Sequence, residues 1–541
     1  MIIKKLLILC VILVAVGTFA FAKGNAQQGS APQERALPTA APEAPIVKVA
    51  GGQLKGFVEG DGTLAFTGIQ YAVAERFGKP QPVPAWQGVK PAQVYGNTAM
   101  IPVQTAVGYD EFAWPHRYYI QSEDCLNLNV WTQSLSTGAK KPVLFFIHGG
   151  GFNNGSSIEA VAYEGGNLSK YGDVVVVTVN HRLNALGYLD LSSFGDAYKE
   201  SANLGMLDLV AALQWVKDNI AQFGGDPSRV AIFGQSGGST KVHTLYHMPS
   251  AKGLFSAGVG QSSGVFNALP KEQANRVGQL TVQKLGLTQA TIGQIKTIDY
   301  RTLLAAAEAS LADATKEFGV NVAWRSVIDN NVVLADYPDW ANAIPYMAGQ
   351  VLSETASNNL NLIAQGINKN TWTDTEINSR LTERFGSNAT AVRDEFLRLF
   401  PGKKPQDALF YDISRRPQTK GALADKAKNA TAPVYNYVFA YEAPANGGIL
   451  PFHCSELLYI FHNVGLRELT KATGGTADAY KVQDVIAQAW INFAATGNPS
   501  QPGLEWKPFD PATKTGTMIF DVNSRFAPHD DQKLEQLMAA K

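Results

Sequence analysis

The sequence predicts an α/β protein whose largely parallel central sheet is flanked by helices. Short, continuous apolar runs that end in turns are typical of strands buried on both faces of a sheet. Such runs occur at 142–147, 173–180, 229–233 and 433–441. Apolar residues recur at helical spacing over 206–223, between the second and third runs. A strand, a helix and a strand in this order predict a right-handed crossover and parallel strands.

The ends of the helices are also marked in the sequence. Gly224 and Gly225 follow the helical pattern at 206–223 and are predicted to end it. A second long helical pattern covers 482–497 in the C-terminal half. No composition typical of a linker separates these elements, so residues 46–541 are predicted to form one large α/β domain.

The first 45 residues are predicted to lie outside this domain. Two lysines precede an apolar run over 6–21, and the segment Ala-Phe-Ala then offers small residues at the positions that a signal peptidase reads. Residues 1–22 are predicted to be a signal peptide cleaved after Ala22, with an uncleaved membrane anchor as the alternative. Residues 23–45 are rich in Ala, Pro and Gln and predict a flexible tether. The mature protein is therefore expected to be periplasmic or extracellular, without stable insertion into the membrane.

Composition limits the partners of the protein. The chain has 46 basic and 46 acidic side chains, so its charge gives no reason to expect nucleic-acid binding. Two of its three cysteines, Cys125 and Cys454, remain after the predicted cleavage. We expect both to be free thiols, with a disulfide between them as the alternative, because the sequence does not give their geometry.

Two serines lie in G-x-S-x-G patterns, which are typical of a nucleophile elbow. Ser236 follows the apolar run at 229–233 and precedes a helical pattern that begins at 239. Ser262 follows a weaker strand pattern, and the next helical pattern begins only near Pro270. An elbow needs a strand, a tight turn and a helix that leaves at once, so Ser236 is predicted to be the nucleophile.

Acyl transfer also needs hydrogen-bond donors for the oxyanion and a base with an orienting acid. His148 and three glycines at 149–151 follow a predicted strand, as in an oxyanion loop of the HGGG type. Among the histidines beyond the elbow, His453 lies in a loop after a strand, whereas His462 lies in a helical pattern and His529 in a polar tail. His453 is therefore the predicted base.

The acid is less well defined by the residues alone. Glu354 follows a short strand pattern and Gly349, and a solvated surface glutamate is the alternative interpretation. His243 and His247 are spaced like metal ligands, but "HTLYH" lacks the glutamate of a zinc-protease helix, so buried or capping roles are favoured. The sequence predicts no metal site and no cofactor.

Four longer motifs resemble one family over nearly all of 46–541. They are "FTGIQYA" (66–72), "SEDCLNLNV" (122–130), "VTVNHRLNALGYL" (177–189) and the block at 202–238 that ends in the elbow. Together they are similar to the type B carboxylesterases, which include para-nitrobenzyl esterases, carboxylesterases and cholinesterases. The resemblance implies the α/β-hydrolase fold and hydrolysis of small-molecule carboxylic esters by a serine esterase.

The resemblance also implies roles for individual residues. The implied catalytic triad is Ser236, Glu354 and His453; the implied oxyanion donors are the N–H groups of Gly150, Gly151 and Gly237; and Ser262 supports the triad. The elbow departs from the family in having Gln235 where Glu is common and Gly237 where Ala is common. Neither departure is expected to replace a side chain that takes part in the chemistry. The family cysteine upstream of Cys125 is absent.

The substrate is specified only coarsely. The segment at 110–121 is rich in aromatic residues and, in the family, borders the substrate gorge. Trp114, Tyr118 and Phe152 are the predicted pocket residues, and they favour apolar or aromatic esters. A loop that is merely held in place by its own aromatic side chains is the alternative. Lipase or amidase activity, and a binding or adhesion protein without catalysis, are the alternative functions.

Overall fold

A computed structural model describes residues 43–106, 108, 110–262, 265–354, 358–528 and 531–540. The predicted signal peptide and the predicted tether up to residue 42 lie outside the described residues, as does His529. Residues from Ala44 onward make one compact unit. The strands are β1 (Ile46–Val49), β2 (Gly52–Lys55), β3 (Phe57–Val58), β4 (Leu64–Gln70), β5 (Ala72–Val73), β6 (Gln81–Pro82), β7 (Val89–Pro91), β8 (Asn127–Thr132), β9 (Lys141–Ile147), β10 (Val175–Val179), β11 (Gly225–Gln235), β12 (Ala257–Gln261), β13 (Leu269–Pro270), β14 (Val327–Ile328), β15 (Tyr346–Val351), β16 (Val434–Phe439), β17 (Thr517–Phe520) and β18 (Arg525–Ala527).

Helices cover both faces of the main sheet. They are α1 (Gly166–Gly172), α2 (Asn184–Tyr188), α3 (Leu204–Asn219), α4 (Gly237–Tyr246), α5 (Lys271–Lys284), α6 (Tyr300–Phe318), α7 (Asp339–Asn342), α8 (Leu360–Ala364), α9 (Asp374–Phe385), α10 (Ala389–Leu399), α11 (Arg415–Ala427), α12 (Glu456–Ile460), α13 (Thr470–Thr473), α14 (Ala477–Thr496) and α15 (Gln532–Ala539). In the described ranges, none of these helices is long and apolar enough to cross a membrane.

The main sheet has eleven strands in the order β18-β17-β16-β15-β12-β11-β9-β10-β8-β4-β3. The run from β17 through β10 is parallel throughout. The outer strands β18, β8, β4 and β3 pair in antiparallel fashion. The prediction of an α/β fold with a largely parallel central sheet is confirmed. The strand β9 lies between β10 and β11, so the two strands joined by α3 are not neighbours.

The central strands are apolar on both faces because both faces are covered. All five residues of β10 are buried. In β9, Phe145 packs into the hydrophobic cluster on one side of the sheet, and Phe146 packs into the cluster on the other. Successive side chains of a strand point to opposite faces, so a covered sheet needs a continuous apolar run. Burying one such side chain contributes about 1.5–3 kcal/mol.

The helix predicted over 206–223 is observed as α3 followed by one turn of 3-10 helix over Ile220–Phe223. Gly224 ends it in the left-handed conformation, with φ of 76°. A side chain on Gly224 would also meet the carbonyl oxygen of Ser134. The chain therefore turns at Gly224 and enters β11, the strand that ends one residue before Ser236.

Candidate active site

Ser236 occupies a strained turn between β11 and α4. Its φ of 57° and ψ of −120° are uncommon for a residue with a side chain, and α4 begins at the next residue, Gly237. Its N–H donates to the carbonyl oxygen of Gln261, 2.8 Å away, and its own carbonyl accepts from Thr240 at 3.2 Å. Such a conformation costs about 1–3 kcal/mol and persists where the surrounding structure enforces it. The serine thus has the strand–turn–helix setting predicted for a nucleophile elbow.

The glycines around Ser236 are required by close packing of the backbone. A Cβ added to Gly234 would lie 2.6 Å from the carbonyl carbon of Gly238 and 2.8 Å from the carbonyl oxygen of Ile147. A Cβ on Gly238 would overlap the same Ile147 oxygen. Strand β9 and the elbow therefore approach one another more closely than any side chain permits. This packing is the steric basis of the G-x-S-x-G spacing.

The glycine-rich loop after β9 lies against the elbow. Gly150 and Gly151 have φ of 75° and 65°, in the left-handed region that favours glycine. A Cβ on Gly237 would overlap the backbone of Gly151, and one on Gly149 would lie 3.4 Å from the Cβ of Ser236. In the described ranges, no backbone carbonyl accepts a hydrogen bond from the N–H of Gly150, Gly151 or Gly237. The structure thus brings the three predicted oxyanion glycines to the elbow, and their N–H groups have no backbone acceptor among the described residues.

His453 and Glu354 form a close pair. Nδ1 of His453 lies 2.5 Å from Oε2 of Glu354. The carboxylate is fully buried, whereas the imidazole keeps part of its surface open. Glu354 lies shortly after β15, and His453 lies shortly before α12, so the pair is assembled from two loops at the carboxyl edge of the sheet. The alternative of a solvated Glu354 is therefore wrong, because its side chain has no contact with solvent.

Gln235 contacts the imidazole directly, which the sequence analysis missed. Its Nε2 lies 3.2 Å from Nε2 and 3.3 Å from Nδ1 of His453. Its Oε1 accepts a hydrogen bond from Sγ of Cys454 at 3.1 Å. That this departure replaces no side chain of the chemistry stays a prediction, and the contacts add that the amide lies beside the imidazole. The signal that could have revealed it was the position of Gln235, immediately before the nucleophile.

Ser262 lies behind the candidate triad. It has φ of 56°, but in the described residues after it no helix begins before α5, so it lacks the elbow arrangement seen at Ser236. Its buried Oγ donates to Oε1 of Glu456 at 3.4 Å, and Nε2 of Gln261 donates to the same oxygen at 3.3 Å. Burial, and secondarily the charge of Glu354, raise the pKa of Glu456 to about 8. Glu456 is therefore mostly protonated at neutral pH.

Ser236, His453 and the glycine loop line a cavity of about 450 Å³. Trp114 forms part of its wall, with edge contacts to the rings of Tyr163 at 6.0 Å and Phe452 at 6.5 Å. Tyr118 lines the same cavity and is largely exposed. The structure therefore places two of the three predicted pocket residues around the candidate nucleophile.

Phe152 lies elsewhere than predicted. Its ring is buried beneath the glycine loop, where it makes an edge contact with Tyr188 at 4.8 Å, and it does not line the cavity. The left-handed turns at Gly150 and Gly151 reverse the chain before Phe152. Its side chain is thereby directed toward the core, which the sequence pattern did not reveal.

His243, His247 and His462 have structural surroundings. His243 contacts the hydroxyl group of Tyr337, and His247 stacks on Phe266 with ring centres 3.7 Å apart. His462 pairs with Asp484 at 2.8 Å. In the described part of the chain, no group of three or more His, Cys, Asp or Glu side chains is arranged to hold a metal ion. Cys125 and Cys454 are free thiols, as predicted.

A parallel sheet with a strained serine at its carboxyl edge, beside a carboxylate–histidine pair and a glycine loop, defines an α/β-hydrolase. Comparison with known proteins agrees with this class. The family model described as "Carboxylesterase family" matches residues 43–537, and the chain belongs to this family. The protein is therefore a carboxylic ester hydrolase, and its family implies a small-molecule ester substrate.

Two relatives illustrate the likeness. The chain is 33% identical over 485 residues to a para-nitrobenzyl esterase of Bacillus subtilis (strain 168), which covers 88% of this chain and 94% of that protein. It is 38% identical to a solved esterase from Clostridium hathewayi that can hydrolyse aliphatic aromatic polyesters. That structure superposes with a TM-score of 0.83 and covers 92% of this chain and 98% of the other.

Proposed function

We propose that the protein hydrolyses carboxylic esters through an acyl-enzyme formed on Ser236. The observation that carries this proposal is the His453–Glu354 pair, whose Nδ1–Oε2 distance is 2.5 Å and whose imidazole lines the same cavity as the strained Ser236. Glu354 holds the tautomer with a proton on Nδ1 and stabilises the imidazolium that forms during reaction. Nε2 of His453 is then the nitrogen that accepts the proton of Ser236.

The reaction follows in two halves. Oγ of Ser236 attacks the ester carbonyl carbon while His453 takes its proton, and the carbonyl oxygen becomes an oxyanion. The N–H groups of Gly150, Gly151 and Gly237 donate to this oxyanion. His453 then gives its proton to the leaving alcohol, and the acyl group remains on Ser236. Water repeats the attack with His453 as base, and the carboxylic acid leaves.

The direct test compares the two serines of the G-x-S-x-G patterns. Ser236→Ala is expected to lower kcat for a chromogenic ester by several orders of magnitude, because it removes the nucleophile. Ser262→Ala is the matched control and is expected to keep a measurable fraction of activity, because Ser262 contacts Glu456 and not the cavity. Near-wild-type hydrolysis by Ser236→Ala would overturn the proposal.

We propose further that the enzyme prefers apolar or aromatic esters. Trp114, Tyr163 and Phe452 present a continuous aromatic wall to the cavity, and such walls favour rings and alkyl chains over polar groups. A panel of chromogenic esters with acyl chains of increasing length, run beside an aromatic ester and one amide, tests this preference. A lipase-like profile would favour the longest chains, and efficient cleavage of the amide would favour an amidase.

Aromatic polyesters are a second candidate substrate class. Tyr118 and Tyr119 line the cavity while remaining exposed, and Ile120 next to them is also exposed. An exposed apolar rim at the entrance of a site is suited to an apolar body larger than the cavity. The esterase from Clostridium hathewayi can hydrolyse aliphatic aromatic polyesters. We expect Ile120→Ser to slow release of acid from a polyester film while sparing a soluble ester; equal effects on both would exclude this role.

We also propose that the protein is exported through its N-terminal signal peptide and cut after Ala22. The support is the basic start, the apolar run and the Ala-Phe-Ala segment. N-terminal sequencing of protein recovered from the periplasm or the medium should begin at Lys23. Intact Met1 on cytoplasmic enzyme would contradict export.

A further inference from the structure

Lys241 is a buried lysine beneath the glycine loop. It lies in α4, on the helix that starts at the elbow, and its side chain is fully buried. Nζ lies 3.5 Å from the carbonyl oxygen of His148, the residue that opens the loop, and 5.1 Å from the centre of the Phe152 ring. Across the described ranges, no carboxylate lies within ion-pair distance of Nζ.

Two further buried bases surround this lysine. The rings of His148 and His181 lie 4.7 Å apart, and Nε2 of His148 and both ring nitrogens of His181 have no hydrogen-bond partner in the described part of the chain. Burial, and secondarily the charge of Lys241, hold the pKa of both imidazoles well below their usual range. Both rings are therefore neutral at neutral pH. Lys241 is the member of this group that can carry charge.

Burial disfavours the charged form of Lys241, and one acidic group favours it. Desolvation lowers the pKa of Lys241 to about 7, and the negative charge of Glu159 acts in the opposite direction. Glu159 lines the cavity, and burial raises the pKa of its carboxyl group. The lysine is therefore positively charged below about pH 7 and loses its charge as the pH rises through that value.

We propose that Lys241 is a positioning residue for the glycine loop. Its ammonium group holds the His148 carbonyl, and its charge stabilises the oxyanion formed at Ser236. The inference rests on the proposed function, because it requires an oxyanion at the glycine loop. A buried positive charge acts more strongly over a given distance than one in water. A fixed charge of this kind stabilises negative charge that develops in the transition state without reorganisation of solvent.

The test uses Lys241→Met, which keeps most of the side-chain volume and removes the charge. Lys426→Met is the matched control, because Lys426 is also buried, donates to the carbonyl of Ala341 at 3.1 Å and has a pKa lowered to about 8 by burial. The probe is an aryl trifluoromethyl ketone, which forms an anionic hemiketal with a nucleophilic serine. Lys241→Met should weaken its binding and lower kcat by about tenfold each, with KM changed less than twofold, whereas Lys426→Met should change none of these values.

The pH dependence gives a second readout that needs no variant. In the wild-type enzyme, affinity for the trifluoromethyl ketone should fall as the pH rises from 7 to 9, because Lys241 loses its charge. The inference would be overturned by a Lys241→Met protein that has the wild-type Tm, the wild-type inhibitor affinity and the same fall of that affinity between pH 7 and 9. If the variant does not fold, a wild-type affinity that stays constant from pH 7 to 9 would overturn it. Failure of the ketone to bind the wild type would instead contradict the proposed function.

Discussion

The Nδ1 atom of His453 lies 2.5 Å from Oε2 of Glu354, and this carboxylate has no exposed surface. A charged carboxylate at this distance orients the imidazole and favours its protonated form during reaction. Because the carboxylate is buried, water cannot take the place of the imidazole as its hydrogen-bond partner. The pair is therefore the part of the site where a small change in charge should have the largest effect on rate.

Glu354→Gln should lower kcat by roughly 10⁴-fold, on the scale found when an orienting acid of a triad is neutralised. The amide keeps the shape of the side chain but loses its charge and can favour the wrong tautomer, so KM should change little. Steady-state kinetics on a chromogenic ester measure both constants. Glu317→Gln, at an exposed glutamate paired with Arg276, serves as the control and should leave both unchanged. Full activity of Glu354→Gln would direct attention to another acid.

Gln235→Glu should move the acid limb of the kcat/KM profile to higher pH. The amide nitrogen of Gln235 lies 3.2 Å from Nε2 of His453, and a carboxylate placed there stabilises the protonated, inactive imidazole. Activity is lost when the base is protonated, so the variant should lose activity at a higher pH than the wild type. Profiles of both proteins between pH 5 and 9 measure the shift. Superimposable acid limbs would show that Gln235 does not influence the base.

Glu456→Gln should preserve most of the activity at pH 7. The raised pKa of Glu456, about 8, means that the wild-type side chain is already neutral there, and glutamine resembles the neutral acid. The folded state keeps this proton between about pH 4.5 and pH 8, while the unfolded state releases it, so this group lowers stability as the pH rises through that window. Thermal unfolding between pH 5 and 8 should show a Tm that falls less steeply in the variant. An identical slope would contradict a buried neutral Glu456.

Gly234→Ala should destabilise the fold and abolish activity. Its Cβ would lie 2.6 Å from the carbonyl carbon of Gly238, so either the elbow or β9 must move. Gly421→Ala is the control, since this helical glycine in α11 has no atom within 4 Å of an added Cβ. That substitution should stabilise the protein by roughly 0.5–1 kcal/mol, as alanine does in place of glycine in a helix. Denaturant unfolding distinguishes the two, and equal stabilities would refute the steric argument.

The sequence by itself determined the parts of this protein that depend on local pattern. Continuous apolar runs placed β9, β10, β11 and β16 within a few residues of their observed ends, because a strand buried on both faces cannot alternate apolar with polar residues. The elbow at Ser236 followed from a strand, three glycines and a helix in succession. Long family motifs then indicated the ester-hydrolase class.

Only the tertiary structure decided which distant side chains meet. The contact between Gln235 and His453, the burial of Glu354 and the hydrogen bond from Ser262 to Glu456 join elements far apart in the chain. Strand β9 separates β10 from β11 because sheet order depends on packing between layers, which adjacent sequence does not encode. Phe152 was misplaced for a related reason: left-handed glycine turns set its direction, and the periodicity of apolar residues carries no information about such turns.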